Sequence, residues 1–219
     1  MSLLAVGEAA ERLGISTRQV QHLVARGELR QLARGVLDEA SVDRFLAVRG
    51  TTARTQAWSE PTAWGAIAIL SGQVPQWMGG SQRSRLKARL RNLSSAGLIE
   101  RARNRAEAAR YAGHPAAVER VQAEIVDTSR AAVTLGLATT TAVDGYVAHA
   151  ALDGILVRHG LMHDDAGRFT LRATSMDLAV VRGLAEEGVV LAALDLAGSL
   201  DPRERAVGTS ALDRALRQV

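Results

Sequence analysis

A mainly α fold with small β-hairpins, an α+β arrangement, is what this sequence predicts, and three observations predict it. The 219 residues are 47% hydrophobic but only 3% aromatic, so the core must be built largely from Ala, Leu and Val on helices. Apolar residues recur at three- and four-residue spacing in segments that glycine closes. Between these segments lie short stretches of alternation around turn residues, which suit hairpins.

Composition excludes several classes of function. There is no cysteine, so disulfides, thiol chemistry and thiolate zinc sites are ruled out. The five histidines, His22, His114, His149, His159 and His163, form no metal-ligand pattern. His159 and His163 are four apart, but Gly160 between them interrupts a common helical face. No nucleophile elbow, phosphate-binding glycine loop or nucleotidyltransferase carboxylate pattern occurs, so the expectation is a protein that is not an enzyme and needs no cofactor or metal. With no apolar run of bilayer length and no signal-peptide layout, a soluble cytoplasmic protein is expected.

The chain opens with Val6, Ala9, Ala10 and Leu13 at helical spacing, closed by Gly14. Ser16 and Gln19 then form a capping box for a second helix over residues 17–26, with Val20, Leu23 and Val24 inward and Gly27 as its stop. Two short helices joined by a tight glycine turn predict a helix-turn-helix. Residues 28–37 suit a small hairpin or wing around Gly35, and Asp38 opens a further helix through Val42, Phe45, Leu46 and Val48. In the pieces VGEAAERLGIS, TRQVQHLVARGEL and VLDEASVDRFL, residues 1–50 resemble the DNA-binding domains of the MerR and excisionase families. The second helix would enter the major groove N-terminus first, with Thr17, Arg18, Gln21 and His22 outward and Arg34 on the wing. Seven arginines against six acids leave this segment at only +1, which also fits a protein-contact role.

Residues 51–58 read as a linker, with turn composition strongest over Gly50–Gln56. A module over 59–114 follows. Ser59, Glu60 and Pro61 open a helix with Ala63, Trp64, Ile67 and Leu70 on its apolar face, and Ser71 and Gly72 close it. Residues 73–80 read as a loop anchored by a buried aromatic, with Trp64 and Trp77 assigned to core packing.

The chain's basic charge is concentrated in what comes next. From Arg83 to Arg110 there are eight arginines and one lysine against Glu100 and Glu107, a local +7 in a chain of +4. Such a cluster attracts a polyanion. Leu86, Leu90 and Leu93 mark the buried side of a helix beginning at Ser81, and the opposite side carries Ser84, Ala88, Arg91, Asn92 and Ser95. Arg85 and Lys87 flank that side, and Arg83 and Arg89 lie nearer the core edge. Gly97 is expected to end the helix, with Leu98–Arg101 and Arg110–Ala112 as strands of a second wing around a turn carrying Arg103 and Arg105. The reading is of tandem winged-helix-like modules. The DNA-binding candidates of the second are Arg83, Ser84, Arg85, Lys87, Arg91, Asn92, Arg103 and Arg105.

A mixed helical α+β domain over 115–219 completes the chain. From Gly113 onward ten arginines meet fourteen acids, a net −4. A helix is expected over 116–125, short segments over 129–135, 144–149 and 152–159, and a hairpin over 160–174 turning at Asp165-Ala166-Gly167 with Phe169, Leu171 and Ala173 alternating. Residues 189–198 are a buried segment whose Leu and Ala favour helix over strand, with Asp195 capping or pairing. Asp201-Pro202 caps a last helix over 203–217, whose Val207, Leu212, Ala215 and Leu216 suit either internal packing or self-association.

The stretches RNRAEAARYAGHP and AALDLAGSLDPRERAVGTSALDRAL resemble the antitoxin half of AbiEi-type toxin–antitoxin systems over residues 60–219. That resemblance implies a repressor of its own operon, binding double-stranded promoter DNA, whose partner is a nucleotidyltransferase-like toxin. The excisionase-like start departs from that family's single winged helix. Two other readings stand beside it: a module that neutralises a partner by direct binding, and an excisionase-like architectural protein of recombination.

Overall fold

In the computed structural model, Gly14 adopts φ 63° and ends the first helix, so Ile15 can donate its N–H back to the Ala10 carbonyl at 3.0 Å. The structure describes residues 3–25, 27–49, 57–137, 142–199 and 201–219. The expected linker stretch Gly50–Gln56 lies outside them. The chain divides into two compact units, Met1–Arg54 with Gly198–Leu200, and Thr55–Ala197 with Asp201–Val219.

In the first unit, β1 (Leu3–Ala5) leads into α1 (Val6–Leu13) and α2 (Thr17–Ala25). The hairpin β2 (Gln31–Ala33) and β3 (Val36–Asp38) turns at Gly35, φ 80°, and α3 (Glu39–Arg49) follows. The short β1 was not expected from sequence. It pairs antiparallel with β3, giving the order β1-β3-β2 with Leu4 opposite Leu37. Ala9, Ala10, Val20, Leu23, Leu29, Leu37 and Val42 make the core. Arg12 joins α1 to α3 through Glu39 at 2.7 Å and Asp43 at 2.8 Å.

The second unit begins with α4 (Glu60–Leu70), which is buried on nearly every side rather than along one stripe. Its Gly65 is required by close packing, since a Cβ there would lie 2.2 Å from the Met78 sulfur. Met78 rather than Trp77 anchors the following loop. Trp77 remains 36% exposed and donates its indole N–H to the Pro61 carbonyl at 3.0 Å, while Trp64 is fully buried.

The basic stretch does not form one helix and a wing. It forms α5 (Gly80–Leu90) and α6 (Ser95–Ala102), then a 3-10 turn at Arg103–Arg105. Gly97 does not end a helix. It lies in the first turn of α6, where the Ser94 hydroxyl accepts its N–H at 3.2 Å. Leu98–Arg101 is therefore helical, with Leu98 and Ala102 in the core.

The expected returning strand exists, as β4 (Glu107–Ala112), but it belongs to a five-stranded sheet with β5 (Val126–Asp127), β6 (Val143–Ala148), β7 (Met162–His163) and β8 (Phe169–Thr174). The order is β5-β6-β8-β4-β7, with β6 and β8 parallel and the other pairs antiparallel. The expected 160–174 hairpin is thus not a two-stranded pair, because β4 runs between β7 and β8. The turn at Asp164–Gly167 does form, with Gly167 donating to the Asp164 carbonyl at 2.8 Å. Only glycine permits its approach to β4, since a Cβ at Gly167 would lie 2.1 Å from the Tyr111 carbonyl.

Helices complete the unit: α7 (Val118–Glu124), α8 (Ser129–Thr134), α9 (Leu152–His159), α10 (Leu178–Glu187), α11 (Val190–Ala197) and α12 (Pro202–Leu216). Strand alternation separates two layers. Val143, Val147, Phe169, Leu171 and Ala173 face Val121 of α7 and Ile155 of α9. Tyr146 faces the larger core of Trp64, Ile67, Leu98, Leu184, Leu191, Leu194 and Leu212. The segments 59–114 and 115–219 therefore share a sheet and a core and form one unit, not two domains. Leu212 and Ala215 are committed to that core. Among the described residues no helix is long and apolar enough to cross a membrane.

Candidate nucleic-acid interface

The capping box fixes where α2 starts. Gln19 accepts the Ser16 N–H at 3.0 Å, and the Ser16 hydroxyl accepts the Gln19 N–H at 3.3 Å. With Val20 and Leu23 turned inward, Thr17, Arg18, Gln21 and His22 are all exposed on the helix. Arg34 is exposed at the tip of the β2–β3 hairpin, one residue before Gly35. The first unit thus presents hydroxyl, guanidinium, carboxamide and imidazole groups along one short helix, and a further guanidinium on the hairpin.

In the second unit the basic residues divide. Ser84, Arg85, Lys87, Arg89, Arg91 and Asn92 are exposed at or just beyond α5. Arg89 was placed near the core edge by the helical wheel but is open to solvent. Ser95 was placed outward but is buried, because the break between α5 and α6 resets the register. Arg85 and Asn92 donate to carbonyls one turn back, at Ser81 (3.3 Å) and Ala88 (3.2 Å), and Arg83, Arg91 and Arg103 also have partners inside the protein. Arg83 is half-buried and donates to the Met78 carbonyl at 2.7 Å. Arg91 donates to the Val219 carbonyl oxygen at 3.0 Å. Arg103 is exposed and paired with Glu100 at 2.7 Å.

Arg105 does not belong to the surface at all. Its guanidinium lies between α11 and the sheet, 2.7 Å from Asp195, and it donates to the Tyr146 hydroxyl at 2.8 Å. Asp195 also accepts from Tyr146 at 2.7 Å and from Thr128 at 3.1 Å, with the Arg172 Nε 3.1 Å away. Arg172 reaches Asp144 at 2.8 Å. Against the burial that would raise it, Arg172 and Arg105 hold the Asp195 carboxyl below its ordinary value. Arg172 is the ion-pair partner of Asp144, with Arg105 and Arg110 acting on it more weakly. Burial, together with the Asp195 charge, pushes it up to about 7.

Sequence reading assigned Asp195 to capping or pairing but missed the rest of this cluster. A signal was present: Asp144, Tyr146, Arg172 and Thr174 occupy the strand positions alternating with apolar ones. Trp64 closes the cluster from α4, its indole N–H reaching the Arg105 carbonyl at 2.9 Å and its ring meeting Tyr146 edge-on at 5.3 Å. Glu60 caps the end of β8 by accepting the Thr174 hydroxyl and the Ser175 N–H. These groups tie the turn after α6 to the sheet, while Asp144 Oδ1 and Arg172 Nε make no hydrogen bond among the described residues.

Comparison with known proteins finds no matching family model, no matching curated protein and no matching solved structure. Among the described residues no group of three or more His, Cys, Asp or Glu is placed to hold a metal ion.

Proposed function

We propose that the protein is a DNA-binding transcriptional regulator, the antitoxin and autorepressor of a toxin–antitoxin operon with a nucleotidyltransferase-like toxin. The observation that carries the DNA-binding part is the outward set Thr17, Arg18, Gln21 and His22 on a capped helix, with Arg34 on the adjoining hairpin. Arg18 and Gln21 have the donors that base edges in a major groove accept, and Thr17 at the helix N-terminus suits a phosphate. Arg85, Lys87 and Arg89 on α5 supply a second basic face, and Asn92 and Ser84 extend it. The toxin partner rests on the sequence resemblance alone.

Footprinting on the protein's own promoter tests the reading. Protection is expected at low salt. With Arg34, Arg85, Lys87 and Arg89 each meeting a phosphate, log affinity should fall against log salt with a slope of about −3.6. Absence of protection at low salt, with the toxin bound or free, refutes it and leaves direct neutralisation of a partner. The low charge of the first unit favours that second reading for residues 1–50 alone.

A further inference from the structure

Where α5 breaks before α6, the second unit has an open groove of about 630 Å³ lined by Trp58, Ala88, Arg89, Asn92, Leu93 and Arg101. That volume falls within the range of small-molecule sites. Its lining has two cations and no acid. Glu100 is next in sequence to Arg101, but its carboxylate is taken by Arg103 at 2.7 Å. Among the described residues no ion pair involves Arg89 or Arg101.

The groove is also built rather than merely open. Arg101 is half-buried, and its guanidinium lies 5.9 Å from the centre of the Trp58 ring, whose quadrupole holds the cation in place. The Arg101 carbonyl accepts the Trp58 N–H at 2.8 Å, which fixes the backbone of both. Asn92 donates its amide to the Ala88 carbonyl at 3.2 Å, which sets the orientation of its side chain. Trp58, Leu93 and Ala88 add an apolar wall. The Trp58 indole N–H is buried and has no acceptor among the described residues, a state that costs about 1–3 kcal/mol when nothing supplies one.

From these features we infer that the groove is a binding site for a planar aryl carboxylate. The carboxylate meets the guanidiniums of Arg89 and Arg101, whose forked donors match its two oxygens. The aromatic body lies against Trp58 and Leu93. A phosphate alone would use the two arginines and leave the apolar wall without a role. The inference does not depend on DNA binding, because the site is tested on the free protein.

The experiment is calorimetric titration of the full chain with 2-naphthoate, with its uncharged isostere 2-naphthamide, and with inorganic phosphate. The ¹⁵N–¹H indole resonances are followed in parallel, Trp58 being assigned by Trp58→Phe. The expected result is saturable one-to-one binding of 2-naphthoate that moves the Trp58 indole signal and leaves that of Trp64 in place. The amide should bind at least tenfold more weakly, as should the Arg89→Gln/Arg101→Gln double variant. Arg89→Gln alone, at an exposed side chain, serves if the double variant loses its fold, and should weaken binding severalfold. Absence of naphthoate binding overturns the assignment, as does equal binding of the amide or undiminished binding by Arg89→Gln. Phosphate moving the Trp58 signal as far as naphthoate does at equal concentration also overturns it, in favour of a plain anion seat.

Discussion

The two helical regions that carry the basic and polar candidates, α2 in the first unit and α5–α6 in the second, are built on opposite principles. Around α2 the element boundaries are set locally. The cap is Ser16 with Gln19, the stop is Gly27, and the hairpin turns at Gly35, all within about twenty residues. The outward side chains are left over for contact with something else. Around α5 and α6 many arginines serve the protein itself. Arg83 braces the loop before α5, Arg91 holds the carbonyl of Val219, and Arg105 is the buried partner of Asp195. Charge density along a chain is therefore a poor guide to charge on a surface. A dense basic run can be consumed by distant carboxylates and carbonyls, while a sparser set can remain fully displayed.

The largest effect is expected at Asp195. Replacing it with Ala leaves Arg105 and Arg172 buried without their shared counter-ion, so the second unit should lose about 3–5 kcal/mol. Denaturant unfolding should show that transition moving while that of the first unit stays in place. An unmoved second transition would mean the cluster is not the tie between the α6 turn and the sheet.

Reversing the exposed cations of α5 addresses the display side of the comparison. The triple change of Arg85, Lys87 and Arg89 to Glu should weaken duplex binding at least 100-fold in a gel-shift series at low salt, with little change in melting temperature. The same changes at Arg83, Arg91 and Arg103 should mainly shift melting, because those side chains hold the Met78 carbonyl, the Val219 carbonyl and Glu100. Equal effects of the two triple variants on binding would erase the distinction.

A smaller effect belongs to the local cap. Ser16→Ala removes the acceptor for the Gln19 N–H and should cost the first unit about 1 kcal/mol. The second unit's unfolding should not respond.

The mildest effect is a pH dependence. The folded Asp144 holds its proton up to about 7, while an unfolded aspartate releases it near 4. Between those values the folded state binds more protons than the unfolded one, so stability falls as pH rises from about 4 to about 7. Asp144→Asn should flatten that slope. The side chain remains 36% exposed, so solvent keeps the slope shallow. Asp195 acts in the other direction. Its carboxyl is held low, so its contribution is present above about 4 and is lost as the pH falls further. A profile without the upper slope would place Asp144 outside the cluster's low-dielectric region.

Legibility followed the same division. The α1–α2 turn, its capping box and the Gly35 hairpin could be read from residues a few positions apart, as could Asp201 capping α12, where its carboxylate accepts the Arg203 N–H at 2.7 Å. The helical character of residues 189–198 was legible from Leu and Ala content, and α11 spans Val190–Ala197. The wing expected after Gly97 was not there to be read. GLIE alternates weakly enough to suit a strand, but Ser94 caps it as a helix, and Leu98 and Ala102 complete the apolar face. Likewise Phe169, Leu171 and Ala173 marked a strand, but strand alternation says nothing about which strand lies beside it.

The sequence by itself determined the elements whose free energy is settled within one or two turns: caps, glycine stops, tight turns and the buried faces of most helices. Only the tertiary structure decided that β4 enters between β7 and β8, that segments 59–114 and 115–219 share one core, and that Arg105 points inward. The physical reason is range. A cap or a left-handed glycine is satisfied by its neighbours in sequence. A buried guanidinium is satisfied by Asp195, ninety residues away, and no local pattern records that partner.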